Sequence, residues 1–377
     1  LALRGCLSRI FGLYWLVLLP VLFATASLMW TADFGLTVRR AGALGLTTAF
    51  GLWLALRFSP KELFLLMTML VVSVIALNFA MIQLNPARGI HQASDILAEH
   101  HAGSWRGMFG HKNDFGRLIA FSVSVLAVAF FFRAGGRAGR LVAAPLFALA
   151  ILMIMNSNSA QAVMLAVSVP AGVILLLGMR WMSPVTRALL FFLLPPIAFV
   201  AASSAQLILE AALGFVGRDA TLTGRTAIWE GTLLAMEGQI IAGGGYGAGW
   251  QVVGPRLLAL SGIEVGHAHN GYLDAAADIG LLGLGLTLAV MLWNMGMAFR
   301  NLMVGVLPEI STLALTVLLF SFIGNVAGSF LLLHNSIYWV VIVATYCQLI
   351  DAARAGRIMQ RPTFVPVGRY EERLWVT

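Results

Sequence analysis

The chain has 377 residues, 60% of them hydrophobic and only 11% charged, with a mean hydropathy of +0.89. Soluble domains carry nearer ~25% charged residues, so a soluble globular enzyme is excluded. Repeated apolar runs are long enough to cross ~30 Å of hydrocarbon as helices. The composition therefore predicts an all-α, polytopic helical membrane protein, and a domain count from length has no meaning here. The formal net charge of +8 would suit a nucleic-acid partner, but its distribution along the chain gives a better explanation.

The predicted spans are 11–31, 41–57, 62–84, 115–132, 141–156, 161–179, 188–209, 271–298, 304–324 and 335–351. No clear small-residue cleavage site follows the first, so it reads as a span and not as a cleaved signal. About 10 transmembrane helices put both termini on one side. With that side cytoplasmic, the inside holds 15 of the 24 basic residues but five of the 16 acids. The positive-inside rule fixes this orientation, and the basic charge becomes a topology signal with no nucleic acid implied. Residues 1–377 read as a single integral membrane domain, and 352–377 as a cytoplasmic basic tail near anionic lipid. Cys6 and Cys347 sit near opposite chain ends, which argues against a disulfide framework.

The outer face is polar in a particular way. All seven histidines fall there: His91, His100, His101, His111, His267, His269 and His334. Two outer loops are long, about 85–114 and 210–270, the latter a large periplasmic loop between spans 7 and 8. Long ordered loops usually carry function.

The first loop ends GMFGHKND (107–114) and runs into a span. His111, Lys112 and Asn113 would stand at a helix N-terminus, where N–H groups and a lysine can hold an anion; a lysine that only snorkels to the interface is the plainer reading. The second loop contains TLTGRTAIWEGTLLAME (221–237), with Thr223 as a fair N-cap. Ile228, Trp229, Leu233 and Met236 recur at helical spacing, as in an interfacial helix. Arg225 falls in its first turn, unfavourably unless an anion is close. Arginine also binds phosphate through two hydrogen bonds; pairing with Asp219 or Glu230 would satisfy it as well. The glycines of AGGGYGAGW (242–250) lack a nucleotide-loop ending, and they permit tight backbone turns near a ligand or membrane surface.

GHAHNGYLDAAADIGLLGLG (266–285) carries most of the chemistry. His267 and His269 precede a span, and Asn270, Asp274 and Asp278 line one helical stripe inside it. Ionisable groups in a membrane helix cost about 2.5–3.5 kcal/mol each on insertion scales. A neutral histidine at a helix N-terminus can accept a proton. No HExxH or matching Cys/His set supports a metal. The NSNSAQ stretch (156–161) reads as a tight hairpin, while Asn325, His334 and Asn335 read as structural caps on the same face.

Taken in order, GMFGHKNDFG, TLTGRTAIWEG with its Gly-rich turn, and GHAHNGYLDAAADIGLLGLGL resemble the O-antigen ligase and polysaccharide polymerase superfamily. The HKN element looks more like its exopolysaccharide polymerase branch. The resemblance implies a metal-independent inverting glycosyltransferase without a cofactor, at the periplasmic face of a bacterial inner membrane. It would transfer an undecaprenyl-diphosphate-linked oligosaccharide to a hydroxyl of an acceptor glycan, as a polymerase of repeat units. A polysaccharide flippase and a chain-length regulator would be its partners. Carried onto this sequence, Arg225 holds the diphosphate, and His269 or His267 activates the acceptor. Lys112 and Arg218 would help at the diphosphate, with Asn113, His111, Asn270, Asp274, Asp278 and Trp229 in support. NSNSAQ and GNVAGSF depart from relatives by lacking a basic residue or threonine and an acid, respectively. A ligase transferring polymer to lipid A-core or protein, and a polysaccharide or lipid transporter without chemistry, remain open alternatives.

Overall fold

A computed structural model describes residues 14–95, 101–134, 136–190, 192–193, 196–197, 200 and 223–359. These residues form helices and no strand. In chain order the helices are α1 (Trp15–Ala26), α2 (Phe34–Arg57), α3 (Pro60–Leu84), α4 (Lys112–Phe131), α5 (Gly136–Ser157), α6 (Ala160–Gly178), α7 (Thr223–Ala235), α8 (Gly249–Ser261), α9 (Gly271–Met303), α10 (Pro308–Gly324) and α11 (Ile337–Met359). A single turn at Pro86–Gly89 and two 3-10 turns complete the set. Six helices are long and apolar enough to cross a membrane, and α1 with its 3-10 extension and α10 are shorter apolar helices. The fold is an all-α polytopic membrane protein. Most of the predicted span at 188–209, Arg218, Asp219, His100, Cys6 and the tail after Met359 lie outside the described residues.

Local sequence sets the helix ends. Ser59 and Glu62 form a capping box ahead of α3, with Pro60 at its first position, which satisfies two otherwise orphaned N–H groups. Asp33 accepts from the Leu36 N–H at 2.8 Å and starts α2 well before the predicted Ala41. Arg39 and Arg40, expected in an outer loop, are therefore helical.

Helices α4 and α11 lie inside the bundle. In each, 67% of the most apolar window is buried, against 22% for α5, whose Leu141, Ile151 and Met155 face outward. Helix α10 packs against α4, α6, α9 and α11, and nearly all its residues are buried. Phe121, Phe320, Phe330 and Tyr338 form an aromatic knot among α4, α10 and α11, with ring centroids 4.8–6.0 Å apart. Cys347 is buried and free.

Helix α9 is broken at Gly280, whose backbone (φ 65°, ψ −179°) is open essentially only to glycine. The N–H groups freed by the break are taken by the loop: Leu281 donates to the Ile240 carbonyl at 2.8 Å and Leu282 to that of Ile241 at 3.2 Å. In return Gly244 and Gly245 donate to Ala277 and Asp278 at 2.8 and 2.9 Å. Backbone meets backbone here. A Cβ on Gly243, Gly249 or Gly280 would fall within 2.5 Å of main-chain atoms across the contact. Residues 281–303 alone measure about 34 Å at 1.5 Å per residue, enough to span the hydrocarbon. The break thus sits at the top of a span-length helix, and the glycine-rich stretch docks on its upper segment.

Candidate functional site

A cavity of about 610 Å³ opens where α4 and α9 begin and α10 ends. Its wall takes His111, Asn113, Asp114 and Arg117 from the start of α4, Gln161 from α6, and Arg40 from α2. Tyr246, Gly247 and Trp250 come from the glycine-rich stretch and α8, and His267, His269, Asp274 and Asp278 from the start of α9. Gly328, Ser329 and His334 close it from the segment between α10 and α11.

The histidine segment is built around Asn270 and Asp274. Asn270 caps α9, accepting from the N–H groups of Tyr272 and Leu273 at 3.0 and 3.3 Å. Asp274 Oδ1 accepts from Trp250 Nε1 at 2.7 Å and from the Ala268 N–H at 2.8 Å. Its Oδ2 accepts from Ser329 Oγ and lies 3.8 Å from His267 Nδ1. Asp278 Oδ1 accepts from the Gly249 N–H at 3.0 Å. The two acids therefore hold the glycine-rich stretch and α8 against α9, which accounts for their presence in a membrane helix.

His267 and His269 have ring centroids 3.9 Å apart, brought together because His269 adopts a positive φ of 53°. His267 Nδ1 accepts from the His269 N–H at 3.1 Å and lies 3.3 Å from Ser329 Oγ. A neutral His267 with an accepting Nδ1 carries its proton on Nε2, leaving a donor there and no base. His269 is held well below the ordinary histidine range, at about 4, first by burial and then by the proximity of His267, Arg225 and His111. It is neutral near pH 7.

Stretches distant in sequence come together around this ring. Arg225 on α7 and His111 at the end of the first loop both act on His269. Trp229, one turn after Arg225, donates from Nε1 to the Ala268 carbonyl at 2.9 Å. Ile228 and Met236 pack in one cluster with Val253, Leu257, Ala276 and Ala277. Helix α7 is thereby seated on the histidine segment. Arg225 and Lys112 are not among the wall residues of the cavity; Asn113 and His111 are. His111 caps α4, its Nδ1 accepting from the Asn113 N–H at 3.1 Å, and burial with neighbouring His101 takes it down to about 4. The rings of His91, His101 and His111 stand 5.2–5.8 Å apart. Among the described residues no group of His, Cys, Asp or Glu is disposed to hold a metal.

Two wall cations were not singled out in the sequence. Arg40 donates to the Gly247 carbonyl. Arg117 pairs with Asp114 and lies 4.8 Å over the Phe330 ring. The loop assignment of residues around Arg39 hid the first, and the reading of α4 as a plain span hid the second. Tyr246 is buried, donating to the Leu332 carbonyl at 2.7 Å and accepting from the His334 N–H at 3.1 Å. In the NSNSAQ hairpin, Gln161 donates to the Gly324 carbonyl at 2.8 Å. Asn325 caps locally, its Oδ1 accepting from the Phe330 N–H at 2.9 Å.

The family model described as O-Antigen ligase, Wzy_C, matches residues 144–288, which include α7, the glycine-rich stretch and both histidines. The chain is also 30% identical over 204 residues to the exopolysaccharide production protein ExoQ of Rhizobium meliloti (strain 1021). That similarity covers 48% of this chain and 43% of the relative, so the chain spans under half of the relative's length. Together the two matches support the O-antigen ligase and polymerase-like superfamily for this chain.

Proposed function

We propose that the chain catalyses glycosyl transfer from an undecaprenyl-diphosphate-linked glycan to a sugar hydroxyl, polymerising exopolysaccharide or O-antigen repeat units. The observation that carries this reading is neutral His269 in the wall of one cavity with Arg40 and Arg117, with Arg225 acting on it from α7, beside a broken membrane helix. In the reaction the acceptor hydroxyl attacks the anomeric carbon opposite the diphosphate. Its proton passes to His269, a general base within the wall. The bond from the anomeric carbon to the diphosphate oxygen breaks, and the lipid diphosphate leaves with the bonding pair. Charge growing on that leaving group is stabilised by Arg225, with Lys112 and Arg218 from the same loops and with Arg40 and Arg117 from the helices. Fixed cations of this kind take the place of a metal.

His267 and Asp274 orient the base: Asp274 fixes the segment, and the His267 ring packs against it at a tilt. Trp229 holds α7 in place, and the exposed Leu233 and Leu234 of that helix suit a membrane surface over which a lipid donor enters laterally. The opposite end of the bundle bears Arg57, Lys61, Arg133, Arg137 and Arg300, so the cavity faces the periplasm and both termini face the cytoplasm.

The ligase reading draws on the description of the matching family model and differs only in the acceptor. Transport without chemistry is disfavoured by the position of the break in α9, above a span-length segment, where transporters place broken helices near the midplane. Purified protein incubated with lipid-linked repeat units separates the three. Lengthened chains on the lipid carrier support polymerase. Polymer moved to lipid A-core or protein assigns the ligase, and unchanged donor overturns both.

A further inference from the structure

A second cavity, of about 640 Å³, lies at the opposite end of the bundle between α9 and α11. Its wall holds Leu292, Trp293 and Met297 along one side and Ile350 on the other, with Arg300 and Arg354 at the rim. We infer that it binds one anionic glycerophospholipid, headgroup phosphate on the two arginines and acyl chain along the apolar wall.

Three observations carry this. The groove opens sideways, since Leu292 is 46% and Trp293 57% exposed on a helix that spans the membrane, so its occupant meets it from the lipid side. Its charged end is positive: among the described residues no carboxylate stands within ion-pair distance of Arg300 or Arg354, and nearby Asp351 is engaged by the Tyr14 hydroxyl at 2.7 Å. The third is Asn301. It is 5% exposed, lines the cavity, and its Nδ2 has no hydrogen-bond partner among the described residues. A buried amide donor without a partner costs ~1–3 kcal/mol, and an acceptor oxygen in the groove relieves that cost. Positive charge at the end of a membrane helix has a plain explanation in topology and in the helix dipole. Neither accounts for the buried amide beside it. Arginine forks suit phosphate oxygens, and basic pockets between membrane helices recognise anionic headgroups.

The test uses the full chain, delipidated in detergent and titrated with phosphatidylglycerol, phosphatidylcholine or inorganic phosphate, with retained lipid counted by native mass spectrometry. Phosphatidylglycerol should be retained in preference to phosphatidylcholine. The doubly substituted Arg300→Gln/Arg354→Gln protein should bind it about tenfold or more weakly. Arg137→Gln, an exposed arginine at the same end of the bundle, should leave retention unchanged. Equal retention of the two lipids, or undiminished retention by the double variant, overturns the assignment. Full displacement of phosphatidylglycerol by millimolar phosphate assigns the groove to a free anion and also overturns it. Neither result bears on the chemistry at the other end of the bundle.

Discussion

Trp229 Nε1 donates to the Ala268 carbonyl at 2.9 Å, which ties the only described helix of the large loop before the glycine-rich stretch to the residue between the two histidines. The bond matters because Arg225 lies four residues earlier, one helical turn away. If α7 pivots, Arg225 leaves the neighbourhood of His269. Trp229→Phe keeps the apolar contact and removes the donor. Its turnover should fall about tenfold, since a hydrogen bond is worth roughly 0.5–1.5 kcal/mol net, while expression and melting temperature stay near those of the parent. A Trp229→Phe protein with unchanged turnover would mean that α7 is held by packing alone.

The break in α9 makes a prediction about stability alone. Gly280 occupies a backbone region that costs other residues about 1–3 kcal/mol, and a Cβ there would lie 2.1 Å from the Ile241 carbonyl oxygen. Gly280→Ala should lower the melting temperature clearly. Gly285→Ala, five residues on and with nothing within 4 Å of the added carbon, should leave it level or raise it, as alanine is the better helix former by about 1 kcal/mol. Thermal unfolding of both variants in one detergent checks this, and equal midpoints would show that the loop yields to the added methyl.

How much of this was legible in the sequence depends on period and range. Hydrophobic runs located nine of the ten predicted spans at described helices, because a membrane helix must satisfy its own backbone and so declares itself locally. The early start of α2 followed from one cap residue, Asp33, weak beside the pull of two consecutive arginines. The break at Gly280 was invisible: GLLGLG reads as a continuous apolar helix, and the bonds that replace its missing turn come from Ile240 and Ile241, some 40 residues away in sequence. Asp274 and Asp278 were legible as costly residues, but their partners, Trp250 Nε1 and the Gly249 N–H, required the fold. The nearness of Arg225, His111 and His269 is likewise long-range, and no spacing in one chain encodes it.

Arg225 should act on the reaction and on its pH dependence together. Removing one donor from a site of growing charge costs about 2.7–4 kcal/mol in the barrier, so Arg225→Ala should turn over ~100-fold or more slowly while remaining in the membrane. The same guanidinium helps to hold His269 at about 4. A base held that low is neutral at every pH above it and is lost only as pH falls through it, so the parent rate should have its acid limb near 4. Taking away the positive neighbour lets the imidazole hold a proton more easily. The acid limb of Arg225→Ala should therefore move to higher pH, toward the ordinary histidine value near 6.5, and Arg225→Lys should restore most of it. A purely structural loss would lower the rate at all pH values and leave the limb in place.

The two histidines should separate by kind of defect. His267 has its Nδ1 engaged by the His269 N–H and near Ser329 Oγ, so its free nitrogen carries the proton and cannot take one from an acceptor hydroxyl. His269 is neutral, and its ring lies tilted by 53° against that of His267. His269→Ala should abolish measurable chain extension, because loss of a general base removes about 10²–10⁴-fold in rate, while binding of the lipid-linked donor persists. His267→Ala should lose less, since it removes a neighbour of the base and not the base itself. Asp274→Asn should resemble His267→Ala in rate, because it weakens the frame of Ala268 and Ser329 without touching the base. Rate–pH profiles of the three variants on a lipid-linked repeat unit settle the order, and a His269→Ala protein with near-normal polymer would hand the base to another residue.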